Sequence, residues 1–208
     1  MDGGLGVLPE DLKRTYALAE GPPILRLMRC LQAPGVHAVV VYRFGRTLLG
    51  LPWWVRLPFE PVYFVANGLV KIFWGIELPR KARVGPGLYI GHFGGITVSW
   101  RAVIGRNCNL SQGVTIGVSG HGERRGTPVI GDDVYIAPGA KLFGPIRVGN
   151  NVKIGANAVV HADVPDNAVV ALDPGFRILS FNGNVRSITE ARSAQHGPRV
   201  RGAEDPGR

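Results

Sequence analysis

Between Val84 and Val160 an aliphatic residue returns every sixth position, and this rhythm constrains the fold more than anything else in the chain. Val84, Ile90 and Ile96 are in phase, then Ile104, Leu110 and Ile116, then Ile130, Ile136, Leu142, Val148, Ile154 and Val160. A glycine or alanine usually follows (Gly85, Gly91, Gly105, Gly117, Gly131, Ala137, Gly149, Gly155), and a second small or apolar residue stands four positions on (Cys108, Val114, Val134, Ala140, Val152, Ala158). A strand alternates its faces every two residues, so positions i and i+4 of each hexad point the same way, and that side must be interior. Short strands with a turn every six residues predict a mainly β fold, a parallel β-helix from Val84 to about Val170 whose coils stack into a prism.

The register breaks twice. Two extra residues enter between Ile96 and Ile104, and eight between Ile116 and Ile130, where the chain reads GVSGHGERRGTPV. Insertions in a solenoid become protruding loops, and such loops commonly carry function. The longer one is polar, glycine-rich and basic; His121 at its tip reads as a solvated loop residue.

The 208 residues carry 24 Lys and Arg against 15 Asp and Glu, a formal charge of +9 that favours anionic partners. Nothing in the chain resembles a nucleic-acid module, so the expected anions are phosphorylated cofactors or lipid headgroups. Two cysteines far apart, Cys30 and Cys108, form neither a disulfide framework nor a pair of metal ligands, as suits a reducing cytoplasm. Cys108 falls on an inward position and reads as a small core residue. The opening MDGGLGVLPEDLKR has neither a basic n-region nor an apolar h-region, so no secretory signal is expected.

Ahead of the repeat, residues 1 to about 8 are expected to be disordered. LPEDLKRTYALAEG predicts a helix from Pro9, with acids near its start and Gly21-Pro22-Pro23 stopping it. A second helix is predicted over Pro23 to Gln32, and a third over VHAVVVYRFGRTLLG after the Ala33-Pro34-Gly35 break. The next segment, LPWWVRLPFEPVYFVANGLVKIFWGIELP, is rich in aromatics, but Arg56, Glu60 and Lys71 keep it short of the roughly 20 apolar residues a bilayer span needs. Trp53, Trp54, Arg56 and Phe59 suit a lipid surface; packing against the first coils or a neighbouring subunit is the more ordinary use of such residues. RSITEARSAQHGPRVRGAEDPGR has almost no large apolar residues and reads as a mobile tail. The chain therefore divides into an N-terminal region (1–76), a β-helix (77–180) and a tail (181–208).

GLYIGHFGGITV, NLSQGVTIG, the protruding loop and VIGDDVYIAPGAKLFGPIRVGNNVKIGANAVVHADVP resemble the hexapeptide-repeat acyltransferases, and within them the serine acetyltransferase branch. The resemblance covers roughly Glu77 to Ile178; the N-terminal part is similar only to short members of the branch, including acetyltransferases found with exopolysaccharide synthesis. It implies a left-handed β-helix, an exception to the usual right-handed crossover. It also implies a homotrimer or a multiple of it, with acetyl-CoA lying in the groove between adjacent prisms, and no metal. The family's catalytic histidine falls on His92 and its supporting acid on Glu77, fifteen residues earlier, where the family has Asp. By family position the backbone around Val118, Ser119, Pro138 and Ala156 lines the pantetheine arm, with Lys141, Lys153 or Arg177 for the phosphates.

Moving an acetyl group from a thioester to an alcohol requires removal of the alcohol proton as its oxygen attacks. An imidazole near pKa 6.5 suits that task. Gly91 and Gly94-Gly95 around His92 allow a substrate close approach to the backbone, and Glu77 is suited to hold the other ring nitrogen.

Three positions depart from the family. Gly91 stands where the family has an Asp for the substrate ammonium, and Gly126 and Thr127 stand where it has an Arg-His pair near the carboxylate. Each charge-assisted contact is worth about 1.5 to 3 kcal/mol, so a free amino acid loses both of its anchors. A neutral sugar hydroxyl needs neither, and Gly91, Glu123, Arg124, Arg125 and Thr127 become the candidate acceptor contacts. The expectation is an acetyl-CoA-dependent O-acetyltransferase acting on a saccharide in exopolysaccharide synthesis, cytoplasmic and peripheral at the inner membrane face, with serine O-acetylation for cysteine biosynthesis as the alternative. A zinc enzyme of the γ-carbonic-anhydrase type needs three imidazoles, two of them close in sequence, and no such pair is present. A non-catalytic β-helix serving assembly stays open.

Overall fold

The computed structural model describes residues 3–122 and 125–172. Within them the repeat becomes stacked three-sided coils. The first coil holds β1 (Ile76–Glu77), β2 (Arg83–Val84) and β3 (Tyr89–Ile90), and the second β4 (Ile96–Val98), β5 (Val103–Ile104) and β6 (Asn109–Leu110). The third holds β7 (Thr115–Gly117), β8 (Val129–Ile130) and β9 (Tyr135–Ile136), and the fourth β10 (Lys141–Phe143), β11 (Arg147–Val148) and β12 (Lys153–Ile154). β13 (Val159–Val160) and β14 (Val169–Val170) close the stack, with Val164 bridging to Val148 between them.

Every strand pairs in parallel with its counterpart one coil away, giving faces β1-β4-β7-β10-β13, β2-β5-β8-β11 and β3-β6-β9-β12-β14. The aliphatic of each hexad points inward, and Ile76, Leu110, Ile116, Ile136, Leu142 and Ile154 are fully buried. At about 1.5 to 3 kcal/mol per buried aliphatic, these layers drive the folding of the prism. Cys108 is fully buried as well. Its thiol lies near the carbonyls of Gly131 (3.2 Å) and Arg106 (3.4 Å), and burial pushes its pKa up to about 11.

The glycine that follows each aliphatic at the corner from the second face to the third has a packing reason. A Cβ on Gly105 would come within 2.4 Å of the Gly131 carbonyl oxygen one coil away. The next residues complete a ladder in which the backbone N–H of Arg106, Asp132 and Asn150 donates to the side chains of Asp132, Asn150 and Asp166.

The inward residues of the first and second faces are eight apart in the first coil (Ile76, Val84), eight in the second (Ile96, Ile104) and fourteen in the third (Ile116, Ile130). In the fourth they are six apart (Leu142, Val148). All extra residues therefore leave the prism at one corner, from the first face to the second. The first coil carries the same two-residue excess as the second, which a register begun at Val84 does not reveal.

The helical region comprises α1 (Leu8–Leu18), α2 (Pro23–Gln32), α3 (Pro34–Gly50), α4 (Trp53–Arg56) and α5 (Glu60–Leu69). A 3-10 turn at Leu57–Phe59 joins α4 to α5, and a π turn at Val70–Trp74 extends the nearly continuous helical run to the residue before Gly75, after which β1 starts. Pro23 and Pro34 open α2 and α3 at a position where the missing N–H costs nothing. At Gly35, α3 presses so closely on the solenoid that a Cβ would meet the Ile90 carbonyl oxygen at 2.0 Å.

A β-helix that simply began would leave its first coil with open backbone edges. Side chains of α1 and α3 stand in for the missing coil. Tyr42 donates to the Ala82 carbonyl (2.8 Å) and accepts from the Val84 N–H (3.1 Å); Arg43 donates to the carbonyls of Val84 (2.8 Å) and Gly85 (2.7 Å). Asp11 accepts from the Leu88 N–H (2.8 Å), and Arg14 donates to the carbonyls of Gly87 and Cys108. Arg43 also donates to the Gly3 carbonyl (2.9 Å), and Leu5–Val7 form a 3-10 turn, so residues 3–8 are ordered, contrary to the expectation for the first eight. Helices and solenoid form one compact unit that ends at Leu172 and share one core, which Ala38, Val39, Tyr42 and Val70 join. The expected tail, 181–208, and the end of the β-helix segment beyond Leu172 lie outside the described residues.

Candidate active site

His92 lies two residues beyond β3, at the corner where the third face turns into the first, and it is exposed. This corner stays open because its column is nearly free of side chains: Gly75, Gly95, Gly113 and Gly139 stack on one another, each with positive φ. The Gly94 N–H donates to the Trp74 carbonyl (2.9 Å), and the Phe93 ring packs edge-on against Trp74 at 5.5 Å between centroids. The loop holding His92 is thereby fastened to the residues that lead into β1.

Glu77 ends β1, opposite Thr97 of β4, on the first face. Strand alternation turns Ile76 inward and Glu77 outward. The register continues that outward column through Thr97, Thr115, Lys141 and Val159. The expected partner of Glu77 is the His92 imidazole, but its Oε1 accepts instead from Lys71 Nζ at 2.6 Å, with both side chains close to half exposed.

The other residues singled out in the sequence fall into two groups. Pro138 and Ala156 follow β9 and β12 on the same corner as His92, and Lys141 begins its strand there, its ammonium on the Gly113 carbonyl. Lys153 is exposed on the third face. Val118, Ser119, His121, Arg125 and Thr127 belong to the opposite corner, where the eight-residue insertion leaves the first face. There Ser119 and Gly126 pair their backbones in both directions (3.1 and 3.0 Å), pinching the loop into a short hairpin. One chain thus holds His92 and the loop at opposite edges of a single face, about 20 Å apart at roughly 3.3 Å per residue. Glu123, Arg124 and Arg177 lie outside the described residues.

One of the departures from the family pattern is built into the packing: a Cβ at Gly126 would meet Pro145 Cβ at 2.5 Å and its Cα at 2.9 Å, whereas one at Gly91 would only approach the end of the Tyr89 ring, at 3.0 Å. Trp100, which the sequence reading passed over, stands half exposed at the insertion corner, with the guanidinium of Arg101 4.5 Å and the ammonium of Lys81 5.8 Å from its ring centre. The two-residue phase break around it was the signal that points there. Among the described residues, no three His, Cys, Asp or Glu side chains are grouped so as to hold a metal ion.

The bacterial transferase hexapeptide family, in its six-repeat form, matches residues 127–162. Serine acetyltransferase of Helicobacter pylori strain 26695 is 36% identical over 135 residues, which make up 64% of this chain and 74% of that enzyme. The chain belongs to the serine acetyltransferase family. The enzyme of Synechococcus elongatus is 35% identical over 150 residues, covering 72% of this chain and 59% of its own length. Among solved structures, serine acetyltransferase of Neisseria gonorrhoeae in complex with serine superposes with a TM-score of 0.67 at 31% identity, over 81% of this chain and 66% of the other. The chain thus spans about three fifths to two thirds of the length of several serine acetyltransferases it matches. The solenoid is the left-handed parallel β-helix of the serine acetyltransferases, preceded by a helical region.

Proposed function

We propose that this chain is an acetyl-CoA-dependent O-acetyltransferase in which His92 receives the proton of the acceptor hydroxyl. The observation that carries the reading is the exposed His92 on a glycine-lined corner of a serine acetyltransferase-family prism. The hydroxyl oxygen attacks the thioester carbonyl while its proton passes to the imidazole; the C–S bond then breaks, and the imidazolium returns the proton to the departing thiolate. Glu77 orients the ring and stabilises its charged form. Its pairing with Lys71 is no obstacle, because an exposed ion pair is worth at most about 1 kcal/mol and is readily exchanged for an imidazolium.

The separation of His92 from the loop supports a trimer. Three prisms side by side bring the loop corner of one copy against the His92 corner of the next, so Val118, Ser119 and Arg125 of one subunit face Pro138, Ala156 and Lys141 of another across the groove for acetyl-CoA. Charged groups on both walls suit a cofactor that carries phosphates.

For the acceptor, the sequence alone favoured a saccharide over serine. Relatives named serine acetyltransferase, and a serine-bound structure of matching fold, favour L-serine, which we take as the first acceptor. A neutral hydroxyl acceptor is kept as a second reading on one observation: the space for a side chain at position 126 is filled by Pro145. Thiol release from acetyl-CoA, followed with L-serine and with neutral saccharides, distinguishes them. Turnover with serine supports the first reading, and turnover with saccharides alone supports the second. No release with either acceptor overturns the proposed activity.

A further inference from the structure

The run from α4 to the π turn is amphipathic the wrong way round. Arg56, Glu60, Tyr63, Asn67 and Val70 form the stripe turned toward the rest of the protein; Glu60 is held there by Arg80 (2.9 Å), whose guanidinium lies 4.4 Å from the Tyr63 ring centre. The opposite stripe, Trp54, Leu57, Val62, Val65, Leu69 and Ile72, faces outward, with Ile72 77% and Trp54 66% exposed. A soluble helix buries its apolar stripe and shows its charges to water. Here about 33 Å of helix, at roughly 1.5 Å per residue, does the reverse, and a contiguous apolar surface of that length marks an interaction site.

α2 exposes apolar side chains as well, with Ile24 and Leu31 70% and 65% exposed. His37 of α3 links α2 to the π turn, donating a hydrogen bond from Nε2 to the Leu31 carbonyl (2.7 Å) and packing on Trp74 at 5.8 Å. Through Trp74 and Phe93 it reaches the corner that carries His92.

We propose that this face docks on the surface of an anionic lipid bilayer. Charge selects the occupant. Between Pro23 and Trp74 the chain has Arg26, Arg29, Arg43, Arg46, Arg56 and Lys71 against the single carboxylate of Glu60. Arg43 is buried against Asp11, Lys71 is paired with Glu77, and Arg56 shares Glu60 with Arg80, which leaves Arg26, Arg29 and Arg46 with no carboxylate partner among the described residues and a net positive balance. A second copy of the same face would bring the same cations to the contact, and like charges repel. Anionic headgroups attract them, while Trp53 and Trp54 suit the boundary between headgroups and acyl chains. The helix lies on the membrane rather than crossing it, since its inward stripe is committed to the protein body and, among the described residues, no single helix is long and apolar enough to span. The inference is independent of the acceptor and would bring the His92 corner close to the lipid surface.

Flotation of the whole chain with vesicles of phosphatidylcholine, with or without phosphatidylglycerol, tests it. Binding to the anionic vesicles is expected, weakened by salt and accompanied by a blue shift of tryptophan emission. The variant Trp54→Ser/Val65→Ser/Ile72→Ser should reduce partitioning by about tenfold or more while its melting temperature and thiol release with a soluble acceptor stay as in the parent. The proposal is overturned if the parent does not float with anionic vesicles, or if the triple variant floats equally well. It is also overturned if sedimentation shows the variant losing oligomer mass while neither protein floats, since a second copy then covers the face.

Discussion

Arg43 Nε donates to Asp11 Oδ2 across 2.8 Å, and neither side chain exposes more than 2% of its surface. Desolvating both charges is costly, so the pair stabilises only because each partner also serves the first coil: Arg43 through the carbonyls of Val84 and Gly85, Asp11 through the Leu88 N–H. It joins α1, α3 and the open start of the solenoid.

Arg43→Met leaves Asp11 buried without its counter-charge and three carbonyls without their donor. The expected loss is about 3 to 5 kcal/mol, a fall in melting temperature on the order of 10 °C. Calorimetry of Arg43→Met beside Asp11→Asn/Arg43→Met should show the double variant less damaged than the sum of the two single changes, because the orphaned charge is gone.

His92→Ala should lower turnover by roughly 10² to 10⁴ while leaving the affinity for acetyl-CoA, measured by titration calorimetry, unchanged. Glu77→Gln should lower kcat by less and leave KM for acetyl-CoA in place. Full turnover in the His92 variant would remove the proposed base.

Stacking at the corners is testable with methyl groups. Gly105→Ala forces a Cβ against the Gly131 carbonyl one coil away, and overpacking of this kind costs about 1 to 3 kcal/mol. Gly68→Ala, inside α5 with nothing within 4 Å of its Cβ, should instead stabilise by about 0.5 to 1 kcal/mol. Denaturant midpoints of the two variants should therefore move in opposite directions.

The Cys108 thiol gives a pH signature. Burial raises its pKa to about 11, so the folded chain holds this proton more tightly than the unfolded one. The associated stability is complete below the ordinary cysteine value and is lost as pH rises through about 11, on the order of 2 kcal/mol. Cys108→Ser should flatten the alkaline limb of the stability profile between those limits, and the native thiol should resist alkylation at neutral pH.

Much of the prism was legible in the chain because a six-residue repeat states locally which side chains point inward, and Val84 through Val160 each took the expected place. The first three helices announced themselves through Pro23, Pro34 and the acids after Pro9. The ordered start at Gly3 was missed because it depends on Arg43, forty residues away. The partner of Glu77 was missed for a related reason: Lys71 sits on a π turn that no periodicity marks, and its reach to Oε1 follows from how that turn meets β1. The long helical run after Trp53 also escaped notice, since apolar residues facing outward break the rule by which such helices are recognised.

By itself the sequence determined the solenoid, its inward layers and the positions of its interruptions, since a strand's alternation and a turn's glycine are decided within a few residues. Tertiary structure alone decided that every insertion leaves by one corner while His92 stands at another, that α1 and α3 replace a missing coil, and that an apolar helix face points outward. Each of these is a relation between residues brought together by the stacking of coils and helices, and the free energy of such a contact depends on what lies opposite in space rather than on what stands nearby in the chain.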